Sequence, residues 1–291
     1  MKIIDKLALA RPAFSLEFFP PKDQAGVDQL FETVRALAPY SPTYVSVTWG
    51  AGGSTRGLTI DLVRRIKREA GIEAMAHLTC VGATREEIDG ILDQLVEAGI
   101  ENVLALRGDP PRGESRFVKT EGGFGSGAEL VAAVRARPGL SVAAACYPET
   151  HPEAESPEAD LRHLAAKARA GADFLVSQLF FDNEDYFRFV DRARGAGISC
   201  PIIAGIWPIT NVAQIRRITG LCGARIPPAL QAKLDEVKDD PEKVRAVGVE
   251  HATAQCRELV RRGVPGIHFY TLNRSRATVD ILEALRADGP T

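Results

Sequence analysis

Hydrophobic and polar positions follow two patterns along this chain: short apolar or β-branched runs, and longer runs whose apolar positions recur at helical spacing. The short runs predict strands at Phe14–Phe18, Tyr44–Thr48, Ala74–Leu78, Asn102–Leu106, Ser141–Ala145, Phe174–Gln178, Pro201–Gly205 and Gly266–Tyr270. Between them, amphipathic stretches such as Gln29–Leu37, Leu58–Ala70, Arg85–Ala98, Ala159–Ala170 and Tyr186–Ala196 predict helices. Several reach a glycine, at Gly71, Gly99, Gly171 and Gly197, where a left-handed backbone ends a helix at little steric cost.

Strands that alternate with helices pair in parallel. Roughly eight such units in 291 residues predict an α/β chain folded as a single parallel (β/α)8 TIM-type barrel over residues 1–291. A doubly wound open sheet is the alternative. A long insertion between the seventh and eighth strands contains Pro227, Pro228, Asp239, Asp240 and Pro241. It predicts extra helices, Leu230–Val237 and Glu242–Arg262, rather than a second domain.

Composition changes this picture only by exclusion. A net charge of −2 gives no support for the broad basic face that nucleic-acid binding requires. Cys80, Cys146, Cys200, Cys222 and Cys256 are scattered with no C-x-x-C pair, which argues against a zinc site or a disulfide framework and for reduced thiols. No apolar stretch is long enough for a signal peptide or a membrane span, so a soluble, cytoplasmic protein is expected. Oligomeric state is left open, a homo-oligomer included.

In such a barrel, chemistry gathers where the C-terminal ends of the strands meet. Those ends carry Glu17, Thr48, His77, Arg107 with Asp109, Tyr147 with His151, Gln178, and Tyr270 with Arg274. Glu17 lies beside Phe18 and Phe19, ahead of two prolines; poor solvation there is expected to raise its pKa into the range of a general acid. An ordinary exposed strand-end glutamate is the competing reading.

The turn from Trp49 to Gly57 is glycine-rich and opens a helix, a weak signal for anion binding. Arg107 and Asp109 stand on a loop stiffened by Pro110 and Pro111. Tyr147, Glu149, His151 and Glu153 follow the fifth strand, and with His77 and Asp109 they raise a metal site as an alternative, though no spacing fixes its geometry. Asp160, His163 and Lys167 share one helical face, which by itself reads as a solvated stripe.

Taken in order, FSLEFFPPK, SVTWGAGGST, AHLTC, LALRGDPP, YPETHPEA, SQLFFD, RIP and HFYTLNR resemble the methylenetetrahydrofolate reductase family across nearly the whole chain. The resemblance implies a barrel that binds FAD, takes electrons from NADH or NADPH, and reduces 5,10-methylenetetrahydrofolate to 5-methyltetrahydrofolate. By motif it makes Glu17 the general acid, Asp109 a carboxylate near flavin and pterin, and Gln178 a contact to folate and nicotinamide. Gln214, Tyr270 and Arg274 match further substrate positions. The implied flavin contacts are Thr48, Trp49, Ala51, His77, Arg107, Gly108, Asp109, Gly127, Tyr147, His151, Ala154, Asp160, His163 and Lys167, which gives the Asp160–Lys167 stripe a role.

Four positions depart from the family pattern. Trp49 stands where many relatives have Tyr, Ser126 where Tyr is usual, Ala166 where an Arg can precede the Lys, and Ile218 where some relatives have an aromatic. The middle two remove flavin contacts, and Ile218 lacks a π-face for stacking. Because the chain ends just after the barrel, the further domain with which larger relatives bind S-adenosylmethionine is not expected. The rival functions are another flavin barrel oxidoreductase resembling proline dehydrogenase, a metal-dependent barrel hydrolase or lyase, and a folate-binding protein without catalysis.

Overall fold

A computed structural model describes residues 1–9, 12–50, 56–109 and 117–289. Its strands are β1 (Ala13–Phe18), β2 (Tyr44–Val47), β3 (Ala74–Thr79), β4 (Asn102–Leu106), β5 (Ser141–Cys146), β6 (Phe174–Ser177), β7 (Ile202–Ile206) and β8 (Gly266–Tyr270). All neighbours pair in parallel, and β1 closes on β8 from Ala13↔Gly266 to Glu17↔Tyr270. That closure rules out the open sheet.

The helices are α1 (Ile3–Leu9), α2 (Gln24–Leu37), α3 (Arg56–Arg65), α4 (Arg85–Glu97), α5 (Gly127–Ala136), α6 (Pro157–Arg169), α7 (Asn183–Gly195), α8 (Val212–Cys222), α9 (Pro228–Val237), α10 (Pro241–Arg261) and α11 (Arg276–Ala287). Local chemistry starts them sharply. Thr84 and Glu87 form a reciprocal capping box at α4, whose Ile88, Ile91, Leu92 and Leu95 then fall on one buried stripe. Asp23 accepts from Gly26 N at 2.8 Å, so α2 begins at Gln24, ahead of the apolar pattern that predicted Gln29. The insertion between β7 and β8 holds α9 and α10 as expected, behind α8.

Two cores follow from the period-two alternation of the strands. Leu16, Phe18, Val45 and Val47 face outward to the helices. The inward set forms a separate cluster of Ala13, Tyr44, Met75, Leu104, Ala143, Phe174, Val176 and Ile203, capped at the N-terminal end of the barrel by Ile3 and Leu7 of α1. Fully burying one such side chain stabilises the fold by roughly 1.5–3 kcal/mol. Above this plug the inward positions turn polar: Ser15, Ser46, His77 and His268 are all buried. A third cluster of Leu179, Phe181, Trp207, Ile209, Ile215, Leu230 and Leu234 holds α8 and α9 beside the mouth.

Candidate active site

Glu17 takes the next inward position above Ser15, at the C-terminal end of β1. Its Oε2 lies 3.3 Å from His268 Nε2 and 3.5 Å from His77 Nε2, and 18% of the side chain is exposed. His268 is wholly buried on β8, with Nδ1 2.8 Å from Ser15 Oγ and the ring stacked on Tyr44 at 5.9 Å. The expectation of a raised Glu17 pKa is not met here. Burial does push it up, but the hydrogen bond from His268 and attraction to His77 and His268 outweigh burial and hold it below the ordinary value. The aromatic neighbours do not enclose the carboxylate: Phe18 points outward into the helix-facing core and Phe19 is exposed.

The turn after β8 clasps the end of β1. Thr271 Oγ1 donates to Glu17 O at 2.6 Å, and the Asn273 amide both accepts from Phe19 N (2.9 Å) and donates to Phe19 O (2.8 Å). Leu272 and Asn273 adopt φ of +53° and +56° to make this turn. Asn tolerates that conformation, whereas for Leu it costs about 1–2 kcal/mol. The turn therefore trades local strain for a fixed Glu17 backbone.

Tyr270 crosses the mouth, donates its hydroxyl to Ser177 O at 2.8 Å, and packs on Trp207 at 5.7 Å. Gly205 makes room for it: a Cβ there would collide with the Ser177 carbonyl and approach within 3.0 Å of Tyr270 Cε2. Gln178 follows directly, its Oε1 accepting from Leu179 N at 2.9 Å. Tyr147 sits beside both Gln178 and Asp109; burial first, then the Asp109 charge, drives its phenol well above the usual range. Glu17, Tyr270, Gln178, Tyr147 and exposed Asp109 thus border one opening.

A second group lies across the ends of β4 and β5. Lys167 of α6 donates to Ala145 O at 2.9 Å, and burial lowers its pKa. A Cβ on Gly127 would lie 3.4 Å from Lys167 Cε and 3.7 Å from Arg107 N, which places these three together. Arg107 pairs with Glu153 at 2.7 Å, and Gly108 has φ +91°. Asp160 accepts from His151 N at 2.9 Å, His151 packs on Tyr147 at 4.6 Å, and Ala154 N donates to His151 O at 2.9 Å.

The remaining sequence-predicted positions are more dispersed. Thr48 is partly exposed at the end of β2, whereas Trp49 is 8% exposed and packs into the outer core. His77 is beneath Glu17 inside the barrel. His163, Gln214 and Arg274 are exposed. Ile218 packs against the third cluster with Trp207, and Ser126 caps α5 by accepting from Glu129 N at 3.2 Å. Ala51, Pro110 and Pro111 lie outside the described residues. His77, Asp109 and His151 are not assembled as a ligand set, and among the described residues no three His, Cys, Asp or Glu side chains form a metal-holding group.

Sequence reasoning missed His268, Ser15, Thr271, Asn273, Gly205 and Trp207. His268 carried a usable signal: it stands two residues before Tyr270 on the same strand and so shares its inward face.

Burial lowers the His77 pKa from 6.5 to about 4, against the opposing pull of Glu17. The unfolded chain therefore takes up this proton at higher pH than the folded one. Stability should rise as pH climbs from about 4 to 6.5 and level off above, with a contribution on the order of 3 kcal/mol. Glu17, shifted downward, adds acid sensitivity only below its ordinary value of 4.5. Melting temperature against pH should flatten across that window in His77→Gln, and an unchanged slope would contradict the assignment.

The family model "Methylenetetrahydrofolate reductase" matches residues 2–286. An Arabidopsis thaliana methylenetetrahydrofolate reductase (NADH) is 42% identical over 97% of this chain, but the chain spans only 50% of that protein's length. The 5,10-methylenetetrahydrofolate reductase of Escherichia coli K12 is 37% identical, covering 93% of this chain and 90% of that protein. In fold, the chain resembles a Clostridium thermocellum protein that binds two copies of 5-methyl-5,6,7,8-tetrahydrofolic acid, with TM-score 0.64, 13% identity, and 98% and 97% of the two chains covered. No helix among the described residues is long and apolar enough to cross a membrane. With a closed barrel, a carboxylate at its mouth and sequence identity extending over almost all of the bacterial relative, this chain belongs to the methylenetetrahydrofolate reductase family.

Proposed function

We propose that residues 1–291 form one catalytic domain that reduces 5,10-methylenetetrahydrofolate to 5-methyltetrahydrofolate, with NADH or NADPH as donor, FAD as carrier and Glu17 as proton donor. The observation that carries this reading is the Glu17 carboxyl, fixed at Oε2 by His268 and still partly open toward the mouth. The methylene bridge accepts hydride poorly until one bridging nitrogen is protonated. Glu17 supplies that proton, the carbon–nitrogen bond breaks, and the iminium carbon left behind takes a hydride to become the methyl group. One proton and one hydride enter the folate, and the dinucleotide leaves oxidised.

Two features let a low-pKa Glu17 act as an acid. His77 is uncharged near neutral pH, so its attraction operates only in acid. A pterin over the mouth also removes water from the exposed part of the side chain, which favours the neutral carboxylic acid. Asp109 accepts pterin N–H groups, Gln178 serves as donor and acceptor, and Arg274 meets an anionic tail, with Gln214 and Tyr270 as further folate contacts.

The residues present fit FAD. Lys167 is a cation with no carboxylate within ion-pair distance among the described residues, and it lies beside Arg107 and the small Gly127, a donor set matched to a diphosphate. FAD bound there supplies a two-electron store between dinucleotide and folate. Lys167→Ala should weaken FAD binding by about 10–100-fold, the usual contribution of a charged hydrogen bond. Flavin absorbance of the purified protein and the FAD-induced rise in melting temperature both report it. Unchanged affinity would remove Lys167 from the site.

Purification in air followed by an absorbance spectrum and titration with each dinucleotide tests the proposal. A yellow protein bleached by NADH or NADPH is expected. A colourless protein that still reduces methylenetetrahydrofolate would mean direct hydride transfer, and the flavin contacts would be withdrawn.

A further inference from the structure

We propose that His268 is the positioning residue for Glu17: its Nε2–H, presented because Ser15 occupies Nδ1, donates to Glu17 Oε2 and leaves Oε1 as the oxygen that gives up the proton. This rests on the reading of Glu17 as the acid. The register makes the arrangement nearly obligatory. Ser15 is the direct partner of His268 across the β1–β8 pair, and Glu17 sits one inward step above. Ser15 Oγ lies 2.8 Å from His268 Nδ1 and 3.4 Å from Ile267 O, and a Glu17 carboxylate oxygen can only accept, which makes Nε2 the donor of the ring. With Nε2–H directed at Glu17 Oε2, 3.3 Å away, Nδ1 is left to accept from the Ser15 hydroxyl.

The ring has little freedom to do otherwise. It is wholly buried, stacked against Tyr44 and met edge-on by Tyr270 at 5.5 Å. The titratable groups facing Glu17 are Tyr44 from β2, His77 from β3, and His268 and Tyr270 from β8. Both tyrosines are held neutral by burial, and His77 Nε2 lies 3.5 Å away without forming a hydrogen bond. His268 is therefore the donor that responds to charge on Glu17. As Glu17 releases its proton, Oε2 gains negative charge and the hydrogen bond from His268 strengthens. The stabilisation is greater in the transition state than in the bound ground state, which is the condition for accelerating the step.

The test compares His268→Leu, which removes the donor, with His268→Gln, whose Nε2–H can reach Glu17. Infrared difference titration, with Glu17→Gln as the blank, reads the carboxyl band of Glu17 in the whole protein without turnover. In His268→Leu the Glu17 pKa should rise by about one unit or more. The folate half-reaction should slow by roughly 10–100-fold, with flavin reduction and folate KM little changed. His268→Gln should recover most of both effects. An unmoved Glu17 titration in His268→Leu, or equal loss in the two variants, would overturn the proposal while leaving Glu17 as the acid. If Glu17→Gln itself retains full folate reduction, the underlying reading fails instead, and the proposal with it.

Discussion

Replacing Glu17 by Gln is expected to slow 5-methyltetrahydrofolate formation by about 10²–10⁴-fold while leaving reduction of the flavin by NADH or NADPH near its wild-type rate. Only the folate half of the reaction needs a proton placed on a bridging nitrogen. Gln keeps the shape and still accepts from His268, so the network beneath is little disturbed. It carries no acidic proton. Stopped-flow measurement of each half-reaction separates the two roles. Equal slowing of both halves would make Glu17 a structural residue.

The second large effect is expected at a glycine that carries no chemistry of its own. Gly205→Ala puts a methyl against the Ser177 carbonyl and the Tyr270 ring. Neither neighbour retreats easily: one is strand backbone, and the other is braced by Trp207 and hydrogen-bonded to that same carbonyl. Overpacking of this kind costs about 3 kcal/mol, near the top of the usual range. Displacing Tyr270 relieves only its own contact, at the loss of its bond to Ser177, and the carbonyl clash is left for the strand backbone to absorb. Denaturant melts should therefore show the destabilisation and folate binding should weaken with it. A variant with wild-type stability and folate affinity would contradict this packing account. Tyr270→Phe, which keeps the ring and loses the hydroxyl, isolates the hydrogen bond.

Short apolar runs located the eight strands of the barrel, because fully buried parallel strands read as such runs between helices with clear caps. They could not set the ends. Thr48 and Gln178 end the predicted strands but stand just beyond β2 and β6, although their N–H groups still donate to Phe18 O and Cys146 O. The start of α2 depends on the Asp23 side chain rather than on apolar spacing.

The proposed site is most legible where a polar residue ends a strand and carries a familiar motif, as Glu17, Asp109 and Gln178 do. What escaped depends on register. Ser15 and His268 are 253 positions apart and meet only because β1 closes on β8. The Glu17 environment is hidden in the sequence for the same reason. Sequence neighbours Phe18 and Phe19 suggested an apolar cage, yet the alternation of a strand turns Phe18 to the opposite face, and the groups that hold the carboxyl come from β3 and β8.

The most direct test of the central claim is product formation. Purified protein is mixed anaerobically with 5,10-methylenetetrahydrofolate and either NADH or NADPH, and the folates are separated and quantified. The account predicts 5-methyltetrahydrofolate in amounts equal to the dinucleotide oxidised, and almost none with Glu17→Gln. Folate binding without any methyl product, or the same yield from both proteins, would contradict it.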